Sequence, residues 1–403
     1  MEAAMNQHRP SRRGYVVACV CSLAFLTIVD RVCISAAKSD ISADLGINDA
    51  VFGWVFGAFA VGYTLMMIPS GWLADRYGPR KTLAVSVLLW SILTALTGWV
   101  QGTAILLIVR FLFGLAEAGA FPGAARAIAC WLPVRERGLA MGLLNTGSRL
   151  GAAFGLWVMS LCVLRFGWRL SFLLLGVAGV FWAALWFTWF RDRPASGTPD
   201  SQTPKPQPID KRLLRSPNVY LILYQYFASQ FTFFICFSWL LPYMKTRYLL
   251  SGPNAGMYAS IPLYVGALAN WISGTAVDKV YRMGHRSLSR KLPAMFGFGL
   301  ASVALVAAAS ISSVNGFILF FSLATFGVDL TLSPSWTACA DIGGEHTGML
   351  SGAMNMMGSV GSLVSAVAFP LLFGMTGDIK SYLYVAVALN LAAVASWWLA
   401  LKE

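Results

Sequence analysis

The chain is a succession of long apolar runs separated by short polar gaps. A helix that crosses a bilayer needs about 20 apolar residues. Twelve runs meet that need, at roughly 14–37, 51–73, 82–100, 103–130, 139–163, 170–190, 218–244, 257–277, 292–311, 317–340, 349–374 and 382–401. The longest polar gap, 191–217, holds Pro194, Pro199, Pro204, Pro206, Pro208 and Pro217. Such a segment cannot bury a core and reads as a cytoplasmic linker. The pattern predicts an all-α integral membrane protein with twelve transmembrane helices in two six-helix bundles. The N-terminal bundle covers 1–190, the linker 191–217 and the C-terminal bundle 218–403.

The two halves echo each other. Gly71-Trp-Leu-Ala-Asp75-Arg76 follows the second run, and Gly274-Thr-Ala-Val-Asp278-Lys279 follows the eighth. Gly142-x-x-Asn145, followed by Gly151, matches Gly352-x-x-Asn355, followed by Gly361. Two matches in the same order indicate a duplicated six-span unit, one known transporter plan.

Composition agrees. Of 403 residues, 57% are hydrophobic and 12% charged. That is about half the charge of an ordinary soluble domain, too little to cover a water-exposed shell. The net charge of +13 does not mark a nucleic-acid partner, since no basic stripe with interleaved aromatics occurs. With the N-terminus inside, 20 Lys and Arg fall in inner segments and six in outer ones, which makes both termini cytoplasmic. The first run contains Asp30-Arg31 and lacks a small-residue cleavage site, so it reads as a retained span. The seven cysteines show no CxxC or metal spacing. No metal site and no cofactor are expected, and no HExxH, GxSxG or Walker loop suggests an enzyme.

Gly71-x-x-x-Asp75-Arg76-x-Gly78-x-Arg80-Lys81 resembles the signature loop of the major facilitator superfamily, with a degraded repeat at Gly274–Arg282. The resemblance extends over the whole chain and implies the major facilitator fold, with a monomer as its default. Asp30-Arg31, Arg110-x-x-x-Gly114-x-x-Glu117, Phe121-Pro122, Arg126 and Trp131-x-Pro-x-x-Glu136-Arg137 narrow it, with Gly167-Trp168-Arg169 and Trp239-x-x-Pro242-Tyr243. Together they are similar to the anion:cation symporter family. That family includes proton-coupled permeases for hexuronates, galactonate, glucarate, tartrate and phthalate, with sialin-like and vesicular glutamate carriers as animal relatives. Those animal relatives usually have a longer, glycosylated first outer loop. Here 38–50 is short and no Asn-x-Ser/Thr sequon occurs, which favours the bacterial branch and a cell inner membrane.

Ionisable groups at membrane depth are functional candidates. At about 1.5 Å per residue, Asp30, Arg31 and Arg110 lie about 10 Å below the outer surface. Glu117 lies about 10 Å deeper, on nearly the same face as Arg110. If the first and fourth spans are neighbours, the four groups form one cluster. An incoming carboxylate then competes for an Arg through a bidentate fork. It leaves an acidic side chain without its counter-charge, which favours protonation. Glu117 is the expected coupling acid and Asp30 a modulator or second proton site. Arg31 and Arg110 share substrate binding and pairing. A static ion-pair cluster that only orients helices is the alternative.

Arg149 and Asp329 lie near the midplane in opposite halves. A gate contact, a second substrate-binding arginine and separate local pairing all fit. Some sugar-acid permeases carry Gln or Asn around Ser148-Arg149, so this chain departs from them. Asn145 and Asn355 either read substrate hydroxyls or join Gly-rich helix packing; the family resemblance favours substrate contact for Asn355. Tyr63 and Trp336 resemble family pocket positions. Asp75, Arg76 and Arg80 are expected to form a cytoplasmic latch, with Arg126 snorkelling or joining it. The expected function is proton-coupled symport of a small organic carboxylate across the bilayer. An anion exchanger or a Na⁺-coupled carrier of the same fold is the alternative.

Overall fold

A computed structural model describes residues 9–192, 215–250 and 252–399. Most of the expected linker, 193–214, lies outside the described residues. The first half supplies α1 (Arg9–Ala36), α2 (Lys38–Leu45), α3 (Asp49–Tyr77), α4 (Pro79–Thr97), α5 (Thr103–Glu117), α6 (Ala120–Trp131) and α7 (Arg137–Trp189). The second supplies α8 (Pro217–Ser238), α9 (Leu240–Tyr248), α10 (Gly252–Arg282), α11 (Arg286–Ser310), α12 (Val314–Leu330), α13 (Leu332–Gly343), α14 (Thr347–Thr376) and α15 (Lys380–Leu399).

Local chemistry fixes the boundaries. Asn48 caps α3 by accepting the Val51 N–H at 2.9 Å. Gly78, at φ 82°, makes the turn into α4, where Pro79 occupies the first helical turn. The 53 residues of α7 would extend about 80 Å as a straight helix, far beyond one bilayer crossing. Gly167, with φ 74° and ψ 161°, breaks that run into the fifth and sixth spans.

Nine stretches of the described residues are long and apolar enough to cross a membrane. The difference from twelve has a plain origin. The fifth and sixth spans share α7, and the tenth and eleventh fall in one continuous stretch, Val314–Thr376. The eighth, in α10, is diluted by residues such as Asn270, Ser273 and Pro262. The fourth, seventh and tenth runs are each two helices in succession, α5 with α6, α8 with α9 and α12 with α13.

The chain forms two compact units. The first comprises Met1–Pro133, Leu150–Ile209 and Gly343–Gly352, and the second Val134–Arg149, Asp210–Ile342 and Ala353–Glu403. In the first unit, Val29, Phe52, Leu106, Val109, Met159 and Phe172 build an apolar core. In the second, Phe231, Ala301, Phe317, Phe321, Phe369 and Tyr382 do so. Large apolar side chains also face outward, Leu65, Ile105, Val177 and Phe181 among them, while Asp30, Arg110 and Glu117 are buried. That is the distribution a lipid solvent selects.

The tightest packing in the first unit is between α3 and α5. A Cβ on Gly114 would meet Phe59 O and, at 2.8 Å, Tyr63 N. Both are backbone atoms and cannot swing away, so close helix approach requires glycine here. Gly114→Val is expected to push α3 and α5 apart and cost about 1–3 kcal/mol. A lowered melting temperature of the purified protein in detergent is the readout, and an unchanged melt would contradict this packing role.

Candidate functional site

In the first unit, α1 and α5 bring Arg31 and Glu117 together. Arg31 Nε donates to Glu117 Oε1 at 2.7 Å, and the Glu117 carboxylate is fully buried. This contact is single. Glu117 Oε2 and Arg31 Nη2 are buried without a hydrogen-bond partner. One fork of the guanidinium and one carboxylate oxygen therefore stay open to another group.

Arg110 is 2% exposed, and its Nε is also buried without a hydrogen-bond partner. Its guanidinium lies 4.5 Å from the centre of the Phe113 ring and 5.3 Å from that of Phe59. Arg31 lies 5.5 Å from the same Phe59 ring and 4.3 Å from the Tyr63 ring. Phe59 and Tyr63 stack at 5.5 Å, one helical turn apart on α3. An aromatic floor thus carries two guanidiniums. Such contacts contribute from about 0.5 to 2 kcal/mol each; the Tyr63 side chain also hydrogen-bonds Arg31, and Arg31 Nη2 and Arg110 Nε are the buried donors left for an anion.

Asp30 lies within electrostatic range of Glu117 and Arg110, but its hydrogen bonds go to α4. Trp90 Nε1 donates to its Oδ2 at 3.1 Å and Thr94 Oγ1 to its Oδ1 at 3.2 Å. Asp30 and Arg31 are sequence neighbours, and successive helical residues point about 100° apart. Arg31 faces α5 and Asp30 faces α4. The sequence reading missed Trp90, Thr94, Phe59 and Phe113. Trp90 and Thr94, polar-tipped and four apart in an apolar helix, were a usable signal.

The second unit holds a more complete ion pair. Arg149 Nε donates to Asp329 Oδ2 at 3.1 Å while Nη2 meets Oδ1, so the pair is bidentate. Arg149 also lies 3.6 Å from the Phe233 ring centre. The two residues thus pair with each other in this structure. Asn145 Nδ2 donates to Met141 O at 2.8 Å, within its own helix. Trp336 is 1% exposed and meets Tyr226 edge to face at 6.0 Å. Asn355 is half-buried on α14.

The repeated motifs build two matching caps. Asp75 accepts the Gly348 and Met349 N–H groups, each at 2.8 Å, at the start of α14. Asp278 accepts those of Gly138 and Leu139, at 2.8 and 2.9 Å, at the start of α7. A carboxylate at a helix N-terminus satisfies orphan donors and meets the positive end of the dipole. Arg126 joins the first cap, 3.4 Å from Asp75, and donates to Gly344 O at 2.8 Å. Arg76 and Arg80 turn elsewhere. Arg76 lies over Trp72 and Tyr77, and Arg80 Nε donates to Phe187 O at 2.9 Å. Arg137 lies 3.6 Å from Asp341, which also takes Arg290 at 3.0 Å.

The profile describing the Major Facilitator Superfamily matches residues 20–366. The chain belongs to this superfamily. It is a multi-pass membrane transporter and not an enzyme. Among its relatives, a probable sulfoacetate transporter, SauU, of Cupriavidus necator is 32% identical, over 97% of this chain and 94% of the relative. A probable galactarate/D-glucarate transporter, GudP, of Escherichia coli is 28% identical over 98% of this chain and 94% of the relative. Human MFSD10, an organic anion transporter, superposes with a TM-score of 0.76 at 14% identity, over 96% of this chain and 99% of its own. The proton:xylose symporter XylE gives 0.77 at 13% identity, over 97% and 96%. Likeness at such low identity carries the fold alone, and it bears out the major facilitator fold that the signature-loop resemblance implied.

Proposed function

We propose that this superfamily member carries a small organic anion, a sugar acid or another carboxylate, across a cell inner membrane by alternating access and in symport with protons. One observation carries the reading: the buried Arg110 Nε has no hydrogen-bond partner, and beside it Arg31 and Glu117 share only one contact. A substrate carboxylate supplies acceptors for the open N–H groups of both guanidiniums above Phe59. In doing so it draws Arg31 from Glu117. A buried carboxylate that loses its counter-charge is stable there only as the neutral acid. Substrate and proton therefore enter together and leave together.

The relatives support the substrate class, since sulfoacetate and the aldarates are organic anions with two acid groups. Asp30, held by Trp90 and Thr94, tunes the field at Glu117 without touching the substrate. The Asp75 cap, with Arg126, acts as one latch of the alternating cycle. Both termini lie on the cytoplasmic side, which the Lys and Arg distribution supports.

A melting screen of organic acids against the purified protein, near pH 7.5 and near pH 5.5, tests the reading. Carboxylates remain ionised at both. A true substrate at 100 times its Kd stabilises by about 2.7 kcal/mol, and its affinity rises at the lower pH because binding takes up a proton. If no organic acid shifts the melt, the substrate class is wrong. A shift indifferent to pH removes the proton linkage and leaves exchange or Na⁺ coupling.

A further inference from the structure

A crevice of about 590 Å³ opens on the first unit among α3, α4 and α5, away from the charged cluster. Its wall is apolar: Met66 and Leu73 on α3, Val85 and Leu89 on α4, Leu112 and Leu115 on α5. Val85, Leu89 and Leu112 are exposed, so the crevice is open along its length. The helices that form it, Val51–Tyr77, Pro79–Thr97 and Thr103–Trp131, are all of bilayer-crossing length and composition. What faces it is lipid, and the crevice is long enough to take one chain. From Lys81 to Ile92 the α4 stripe extends about 16 Å, close to the roughly 15 Å depth of one leaflet's hydrocarbon.

One end differs from the rest. Tyr77 and Lys81 line the crevice where α3 turns into α4, and both are exposed. Arg76 and Arg80 lie within five residues of Lys81 in sequence, which makes this end basic. The acid facing it, Asp192, accepts the Arg80 backbone N–H at 2.8 Å. Arg76, Arg80 and Lys81 outnumber that one carboxylate, so the mouth keeps a positive excess.

We propose that this crevice is a site for an anionic glycerophospholipid, with one acyl chain along the Met66–Leu89 wall and the phosphate at Lys81. The shape selects a chain rather than a compact solute, and the cation selects a negative headgroup over a zwitterionic one. Under the proposed topology the lipid belongs to the cytoplasmic leaflet. The assignment does not depend on the transported substrate.

The test uses the full chain in nanodiscs of equal parts phosphatidylglycerol and phosphatidylethanolamine, followed by release into the gas phase and counting of retained lipids by native mass spectrometry. Wild type is expected to retain phosphatidylglycerol preferentially. Lys81→Gln lowers that retention about fivefold, the effect of one basic residue at a membrane surface. Leu89→Trp fills the crevice and removes retention of both lipids. Leu89 and Lys81 are exposed, so both variants should melt as wild type does, and Val85→Trp is the second crevice-filling variant. Equal retention of the two lipids by wild type overturns the headgroup assignment. Undiminished retention in both tryptophan variants overturns the site. A lipid-free dimer that Leu89→Trp splits assigns the crevice to a second copy of the chain and overturns the proposal as well.

Discussion

Glu117→Gln is expected to abolish accumulation of substrate against its gradient while leaving part of the exchange activity intact. The amide is close in shape to the carboxyl, so the fully buried position between α1 and α5 is still filled. It can accept from Arg31 Nε as the carboxylate does, but it cannot take up and release a proton. In proteoliposomes with an imposed proton gradient, uphill uptake should fall by two orders of magnitude or more, the scale of losing an essential proton-transfer group. Counterflow between two substrate pools needs no net proton movement and should survive at a reduced rate. Uphill uptake by the Gln variant at the wild-type level rejects Glu117 as the coupling acid and turns attention to Asp30.

Asp329→Ala should be the most destabilising single change in the second unit. It leaves the Arg149 guanidinium, which is only 10% exposed, over Phe233 with no counter-charge. Removing one partner of a buried pair costs about 3–5 kcal/mol. The double variant Arg149→Met, Asp329→Ala should recover most of that loss, because no charge is then stranded. Thermal melts of the substrate-free protein separate these cases. A double variant as unstable as Asp329→Ala would mean that Asp329 acts through packing and not through Arg149. The contrast with the first unit is physical: Arg149 and Asp329 share a complete fork, whereas Arg31 and Glu117 share one bond and leave three buried polar atoms, with Arg110 Nε, unmatched. The first arrangement is built to hold and the second to exchange partners.

Sequence carried the architecture because a bilayer enforces run length. Residue counting at 1.5 Å per step put Arg110 and Glu117 on one face of α5, but it set Arg31 level with Arg110, whereas the arginine side chain reaches Glu117, a level deeper. It could not orient Asp30, since depth says nothing of azimuth and the neighbour of a pore-facing residue points elsewhere. Trp90 and Thr94 offered a signal in their spacing, four apart on one helix face, but with 15 tryptophans in the chain that signal was easily passed over. The Arg149–Asp329 contact was one of three arrangements that the sequence left open, for another reason. It joins residues 180 positions apart, and only the packing of α7 and α12 decides whether two midplane charges meet. The motif repeats were legible as sequence, yet their joint meaning was not. Gly71…Asp75 and Gly274…Asp278 were visible, as were Gly142 and Gly352. That each aspartate caps the helix carrying the other half's glycine emerged from hydrogen bonds alone.

Those reciprocal caps bear on how the polypeptide can be divided. Because 134–149 belongs with one compact body and 343–352 with the other, a cut in the middle of the gene yields two fragments that each lack a strip of their own scaffold. Neither fragment produced alone should mature into a stable particle, whereas the two made together in one cell can lend each other the missing strips.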